Sequence, residues 1–136
     1  MDQRRLRRDA GGPTKLVLVG ARLDGQAGVV LDTIAGGHLP YQVVAFLDET
    51  PEKWGSRVEG IPVYGEPFNH LDRVLRLGVE AGMVSVGDGP ARERLAEPLV
   101  AAGLDLPTMV HPRAFVAPSA RVGAGVYIGP MSTLNA

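Results

Sequence analysis

The 136-residue chain contains no cysteine, which removes disulfide bonds and thiolate chemistry and suits a cytoplasmic protein. Its 14 lysines and arginines nearly balance 15 aspartates and glutamates, so no field of one sign favours nucleic acid as a partner. No apolar run approaches the roughly 18 residues needed to cross a bilayer, and no hydrophobic segment near the N-terminus resembles a signal peptide. A membrane span is therefore not expected. No two of the three histidines, His38, His70 and His111, have metal-ligand spacing, so no bound metal is expected. Nor does any spacing suggest a Ser-His-Asp or Cys-His nucleophile. The G-x-G-x-x-G spacing of dinucleotide folds is also missing, which argues against a nicotinamide-binding domain.

What the sequence does contain is a period of six at its C-terminal end. Val116, Val122, Ile128 and Leu134 open successive hexapeptides, the first three followed by Ala117, Gly123 and Gly129. That repeat is expected of a parallel β-helix, in which each hexapeptide forms one flat side and three complete a coil. Four aliphatic side chains cannot offset the entropy of ordering about twenty residues, so the coil must stack on something. Further coils are expected beyond Ala136, with the chain a fragment of a longer protein.

Ahead of the coil, residues 1–14 carry Arg4, Arg5, Arg7 and Arg8 without periodicity and read as a solvated, disordered arm. Residues 15–20 form an apolar run ending in glycine, as in a strand buried on both faces of a parallel sheet. Asp24 is expected to cap a helix whose Ala27, Val30, Leu31 and Ile34 face inward and which Gly36 and Gly37 end. Residues 42–48 are a second buried strand. A polar excursion with Trp54 follows, and residues 61–64 are placed at a sheet edge because Pro62 cannot donate to a ladder. Leu71, Val74 and Leu75 mark a second helix ending at Gly78, and residues 81–87 another strand. Pro90 sits in the first turn of a third helix after Asp88, with Leu95, Leu99 and Ala102 inward; Pro98 inside it has no sequence explanation. Residues 106–110 are expected to return to the sheet edge before His111 and Pro112 lead into the coil. The class is α/β: a Rossmann-like open parallel sheet over residues 15–111, then the first coil of a β-helix over residues 112–136.

Ligands of open parallel sheets gather outside the carboxyl ends of the strands, beside a helix N-terminus that can hold phosphate. Three such ends are visible: the loop of Gly20, Ala21, Asp24, Gly25 and Gln26; the pair Asp48 and Glu49; and Gly87 with Asp88. Together they resemble a nucleotide site, with Asp48 able to accept from a ribose hydroxyl or a base N–H; singly, each is equally an ordinary turn. His111 reads as structural, His38 and His70 as surface residues, and Trp54 as the cap of an apolar edge.

The order of these motifs resembles the sugar O- and N-acyltransferases of the sialic-acid O-acetyltransferase type, which include the acetyltransferases of UDP-4-amino-sugars. In that family the first strand ends in Gly-Ala, the second in Phe-Leu-Asp-Asp, a later one in Gly-Asp with an arginine shortly after, and His-Pro-Ser-Ala introduces a left-handed β-helix. Here those places read Gly20-Ala21, Phe46-Leu47-Asp48-Glu49, Gly87-Asp88 with Arg92, and His111-Pro112-Arg113-Ala114. The resemblance implies a sheet domain that binds a nucleotide-linked sugar and a β-helix that forms a homotrimer and holds acetyl-CoA. It also implies a catalytic histidine about one coil beyond Ala136, so that this chain alone lacks turnover. The sequence departs from the family in its first loop, which is two residues longer and places Gln26 where a histidine is usual. A non-catalytic nucleotide-binding and assembly module is the alternative.

Overall fold

A computed structural model describes residues 12–136. Most of the expected N-terminal arm, residues 1–11, lies outside the described residues, while Thr14 already belongs to the first strand. The elements are β1 (Thr14–Val19), α1 (Gln26–Gly36), β2 (Tyr41–Leu47), a short 3-10 turn (Pro51–Lys53), β3 (Arg57–Val58), β4 (Ile61–Tyr64), α2 (Pro67–Leu75), β5 (Ala81–Val84) and α3 (Gly89–Ala101). Four short strands follow: β6 (Met109–Val110), β7 (Phe115–Val116), β8 (Tyr127–Ile128) and β9 (Thr133–Leu134).

The main sheet has the order β3-β4-β2-β1-β5. Every pairing in it is parallel except the β3/β4 hairpin. β1 lies inside the sheet between β2 and β5, and its alternate residues feed two cores. Leu16 and Leu18 pack with Phe46, Met83 and the α1 residues Ala27 and Val30. Val17 and Val19 face the other way, toward Leu71 and Val74 of α2 and Leu95 and Leu99 of α3. Because both faces are covered, β1 reads as an unbroken apolar run rather than an alternating one.

Several expectations need correction. β4 is not an edge strand, because β3 lies outside it. Pro62 is tolerated because pairing with β2 begins only at Val63, so its missing N–H is never called on there. Glu59 and Gly60, with φ of 50° and 75°, make the two-residue turn that joins β3 to β4. Asp24 does not cap α1: Gly25 occupies the cap position without a side-chain hydrogen bond, and Asp24 pairs with Arg22 instead. Ala102 is exposed and Leu104 takes the buried place beyond α3. α3 continues through Pro98 in its last turn, where the ring deletes a single helical hydrogen bond.

The return to the sheet edge shrinks to one bridge, Ala81 with Asp105. Residues 109–110 pair not with the sheet but with β8. Met109 lies opposite Tyr127 and Phe115 opposite Thr133, partners eighteen positions apart in both ladders, and both ladders are parallel. The segment rests on the α1 side of the sheet, where Met109 is buried in the core and Tyr127 packs against it. There the Tyr127 hydroxyl meets the Thr33 hydroxyl at 2.8 Å.

Candidate functional site

The carboxyl ends of β1, β2 and β5 surround a cleft of about 560 Å³, a size suited to a small-molecule ligand. β1 pairs with β2 on one side and β5 on the other, so the cleft lies where strand order reverses, the usual ligand position in such sheets.

The loop after β1 is fixed from both flanks. Gly20 has φ of +103°, and a Cβ there would lie 2.9 Å from the Ser85 carbonyl oxygen, so only glycine fits. Its amide donates to the Leu47 carbonyl at 2.7 Å. The buried Ser85 hydroxyl lies 3.0 Å from the Val19 carbonyl oxygen and 2.8 Å from that of Gly20. On the β2 side, the Ala21 amide donates to Asp48 Oδ2 at 2.8 Å, and the Thr50 amide to Asp48 Oδ1 at 2.8 Å. Asp48 is 7% exposed. Burial pushes its carboxyl up, but the Thr50 and Ala21 donors, with the Lys53 charge, outweigh that and hold it below the ordinary aspartate range. Lys53 Nζ lies 3.7 Å from Oδ2, and the Trp54 indole donates to the Asp48 carbonyl at 2.7 Å.

The opposite wall is the start of α1. Gly25 and Gln26 line the cleft, and because no side chain caps the helix, its first amides are free of a side-chain acceptor and can receive an anion. Gly28 in the first turn is obligatory, since a Cβ would fall 2.1 Å from the Leu23 carbonyl oxygen. The rim carries two ion pairs. Arg22 Nε lies 2.7 Å from Asp24 Oδ1, and this hydrogen bond lowers the Asp24 carboxyl pKa and raises that of Arg22. Arg94 of α3 grips Glu49 with two bonds of 2.7 and 3.0 Å, holding the Glu49 carboxyl below its usual range despite partial burial.

The structure thus gathers Gly20, Ala21, Asp24, Gly25, Gln26, Asp48, Glu49 and Gly87 around one cleft. Asp88 and Arg92 are not among the lining residues. Asp88 caps α3 by accepting the Ala91 amide at 2.9 Å, and Arg92 lies half-buried in the first turn above it. Ser85 and Lys53 line the cleft without having been picked out by sequence. A serine closing an apolar strand carries no periodic signal, and Lys53 sits in an irregular turn.

His111 Nδ1 accepts the Arg113 amide at 3.1 Å within the turn leading to β7, a structural role. His70 is not a free surface residue, because its Nδ1 is buried. Among the described residues, no group of three or more His, Cys, Asp or Glu could hold a metal ion. No helix among them is long and apolar enough to cross a membrane.

The PglD N-terminal domain family matches residues 15–99, from the foot of β1 into α3. The chain belongs to that family. The PglD-type domain therefore contains all of the cleft, and the paired strands β6 to β9 follow it. A solved mutant of perosamine N-acetyltransferase from Caulobacter crescentus, in complex with CoA and GDP-perosamine, is 30% identical with a TM-score of 0.75, over 93% of this chain and 55% of that one. The acetyltransferase domain of PglB from Neisseria gonorrhoeae FA1090, in complex with acetyl coenzyme A, is 30% identical with a TM-score of 0.67, over 90% of this chain and 56% of that one. The chain thus spans about half the length of the solved relatives it matches. A Rex-family repressor, RSP, shares the fold alone, at 18% identity and a TM-score of 0.55 over 98% of this chain and 57% of its own. No curated protein matches.

Proposed function

We propose that this chain is the sugar-nucleotide-binding N-terminal part of an acetyl-CoA-dependent sugar acetyltransferase. The observation that carries the reading is a glycine-lined cleft at the strand-order reversal, within a domain whose solved relative is described in complex with CoA and GDP-perosamine. In this reading the uncapped amides of α1, with the loop of Gly20, Ala21, Gly25 and Gln26, receive the diphosphate, while Lys53 adds a positive charge. Asp48 and Glu49 stand on the ribose and base side, with Gly87, Asp88 and Arg92 along the far rim. Asp48 still has lone pairs beyond the two that bind Ala21 and Thr50.

The same reading makes the segment from Met109 onward the first coil of a left-handed β-helix. The eighteen-residue offset of its parallel ladders supports this, being three hexapeptides. In the whole protein the β-helix would assemble the homotrimer and hold acetyl-CoA, and a histidine base would deprotonate the attacking sugar amine or hydroxyl. In this reading the division falls just ahead of Met109 rather than after residue 111, because Met109–Val110 already pairs with β8, and the lack of cysteine supports a cytoplasmic location.

Calorimetric titration with UDP, GDP and NAD tests the proposal. Saturable binding of UDP or GDP, lost in the variant Gly25→Asp that puts a carboxylate beside the α1 amides, is the expected result. Binding of NAD without either nucleoside diphosphate would overturn it.

A further inference from the structure

A second cavity of about 400 Å³, walled by Trp54, lies between the β3/β4 hairpin and α2. Its described lining includes Trp54, Arg57, Tyr64, His70 and Arg73, and no aspartate or glutamate. In a chain of net charge −1, a recess with two guanidinium groups and no acid among its described walls selects for anions. Arg57 uses one nitrogen on the Gly60 carbonyl at 2.8 Å and keeps further donors. Arg73 forms no ion pair among the described residues.

His70 supplies an independent observation. Its Nδ1 is buried without any hydrogen-bond partner. The ring lies so close to Gly65 that a Cβ there would sit 2.2 Å from Nδ1, so glycine makes room for the imidazole. A buried N–H without an acceptor costs more than a bare lone pair, which puts the proton of the neutral ring on Nε2 and makes that nitrogen the donor. The ring centroid is 5.6 Å from that of Trp54, at an interplanar angle of 48°. The Trp54 indole N–H is fixed to the Asp48 carbonyl, yet the side chain remains 39% exposed, leaving apolar surface for a ring to cover.

We infer that this cavity is a second binding site, for a small ligand that joins a planar ring to a phosphate group. The guanidinium groups of Arg57 and Arg73, with the His70 imidazole, hold the tetrahedral oxyanion, and the ring packs on Trp54. Phosphate is favoured over carboxylate because cationic donors arise from two separate elements, whereas a flat carboxylate is satisfied by one guanidinium fork.

Trp54 is the single tryptophan, so its fluorescence reports on this cavity. Phenyl phosphate, inorganic phosphate and benzoate are titrated at constant ionic strength into the protein, the double variant Arg57→Gln/Arg73→Gln and the cleft variant Lys53→Gln, with folding of each checked by circular dichroism. Phenyl phosphate should give a saturable change with Kd of about 1 mM or tighter and bind about tenfold better than inorganic phosphate. The double variant should lose about tenfold in affinity, and should lose more than Lys53→Gln, whose cleft also receives phosphate in the reading above. Should the double variant fail to fold, the single variant Arg73→Gln carries the same comparison. The site is refuted by loss in Lys53→Gln but not in the arginine variants, which would put the anion in the main cleft. Benzoate binding as well as phenyl phosphate, or the absence of saturation, refutes it equally.

Discussion

The carboxylate of Asp48 accepts the backbone N–H of Ala21 at 2.8 Å, and so ties the end of β2 to the loop that follows β1. Its other oxygen accepts the Thr50 amide. Asp48→Asn keeps one acceptor and leaves one of these amides unmatched, which should cost about 1–3 kcal/mol. Because the folded carboxyl lies below its ordinary value, its contribution is present above the unfolded aspartate pKa of about 3.9 and fades as pH falls through the folded one. Urea unfolding at neutral pH should show the gap between parent and variant, and the gap should narrow below about pH 4.

Gly28→Ala in the first turn of α1 should destabilise the protein. Alanine in a helix ordinarily gains about 1 kcal/mol over glycine, but here its methyl would meet the Leu23 carbonyl oxygen at 2.1 Å. A lowered melting temperature is expected. An unchanged or raised one would mean that the Leu23 backbone yields freely.

The Glu49–Arg94 pair is geometrically good but exposed on both sides. A double-mutant cycle with Glu49→Ala and Arg94→Ala should give a coupling of about 1 kcal/mol or less. Repeating the cycle at 1 M salt, where the screening length is about 3 Å, should abolish it.

Tyr127→Phe removes the hydroxyl that meets Thr33 but leaves the ring in place. Thr33 retains its bond to the Val29 carbonyl at 2.8 Å, so the loss should be modest, about 0.5–1.5 kcal/mol. Amide hydrogen exchange is the sharper measurement. Protection at Met109 and His111, whose amides bond to Val126 and Ile128, should fall more than protection in β1.

Much of the sheet was legible because β1 and β2 are buried on both faces and so stand out as continuous apolar runs. The period of six likewise pointed to the offset between the paired strands near the C-terminus. What could not be read were outcomes of local competition. Asp24 is a good capping residue by type, yet Arg22 two positions earlier claims its carboxylate. The two residues of β3 are too few to show a period, and overlooking them put Pro62 at an edge. Residues 106–110 carry an apolar pattern that suits a sheet edge or a short strand elsewhere equally, and only the pairing of Met109 with Tyr127 separates the two. For the cleft, the glycines and acids were visible as strand-end punctuation. The engagement of Asp48 by the backbone, and the serine that locks Gly20, depend on chain segments 27 and 65 positions away.

Ser85, Leu47 and Asp48 grip the segment from Val19 to Ala21 before any ligand arrives. Ordering of that segment is thus charged to folding, and a guest entering the cleft has little main-chain freedom left to freeze there. Affinity series measured across different guests should consequently track the chemistry of the guest, with the host contributing a nearly constant background.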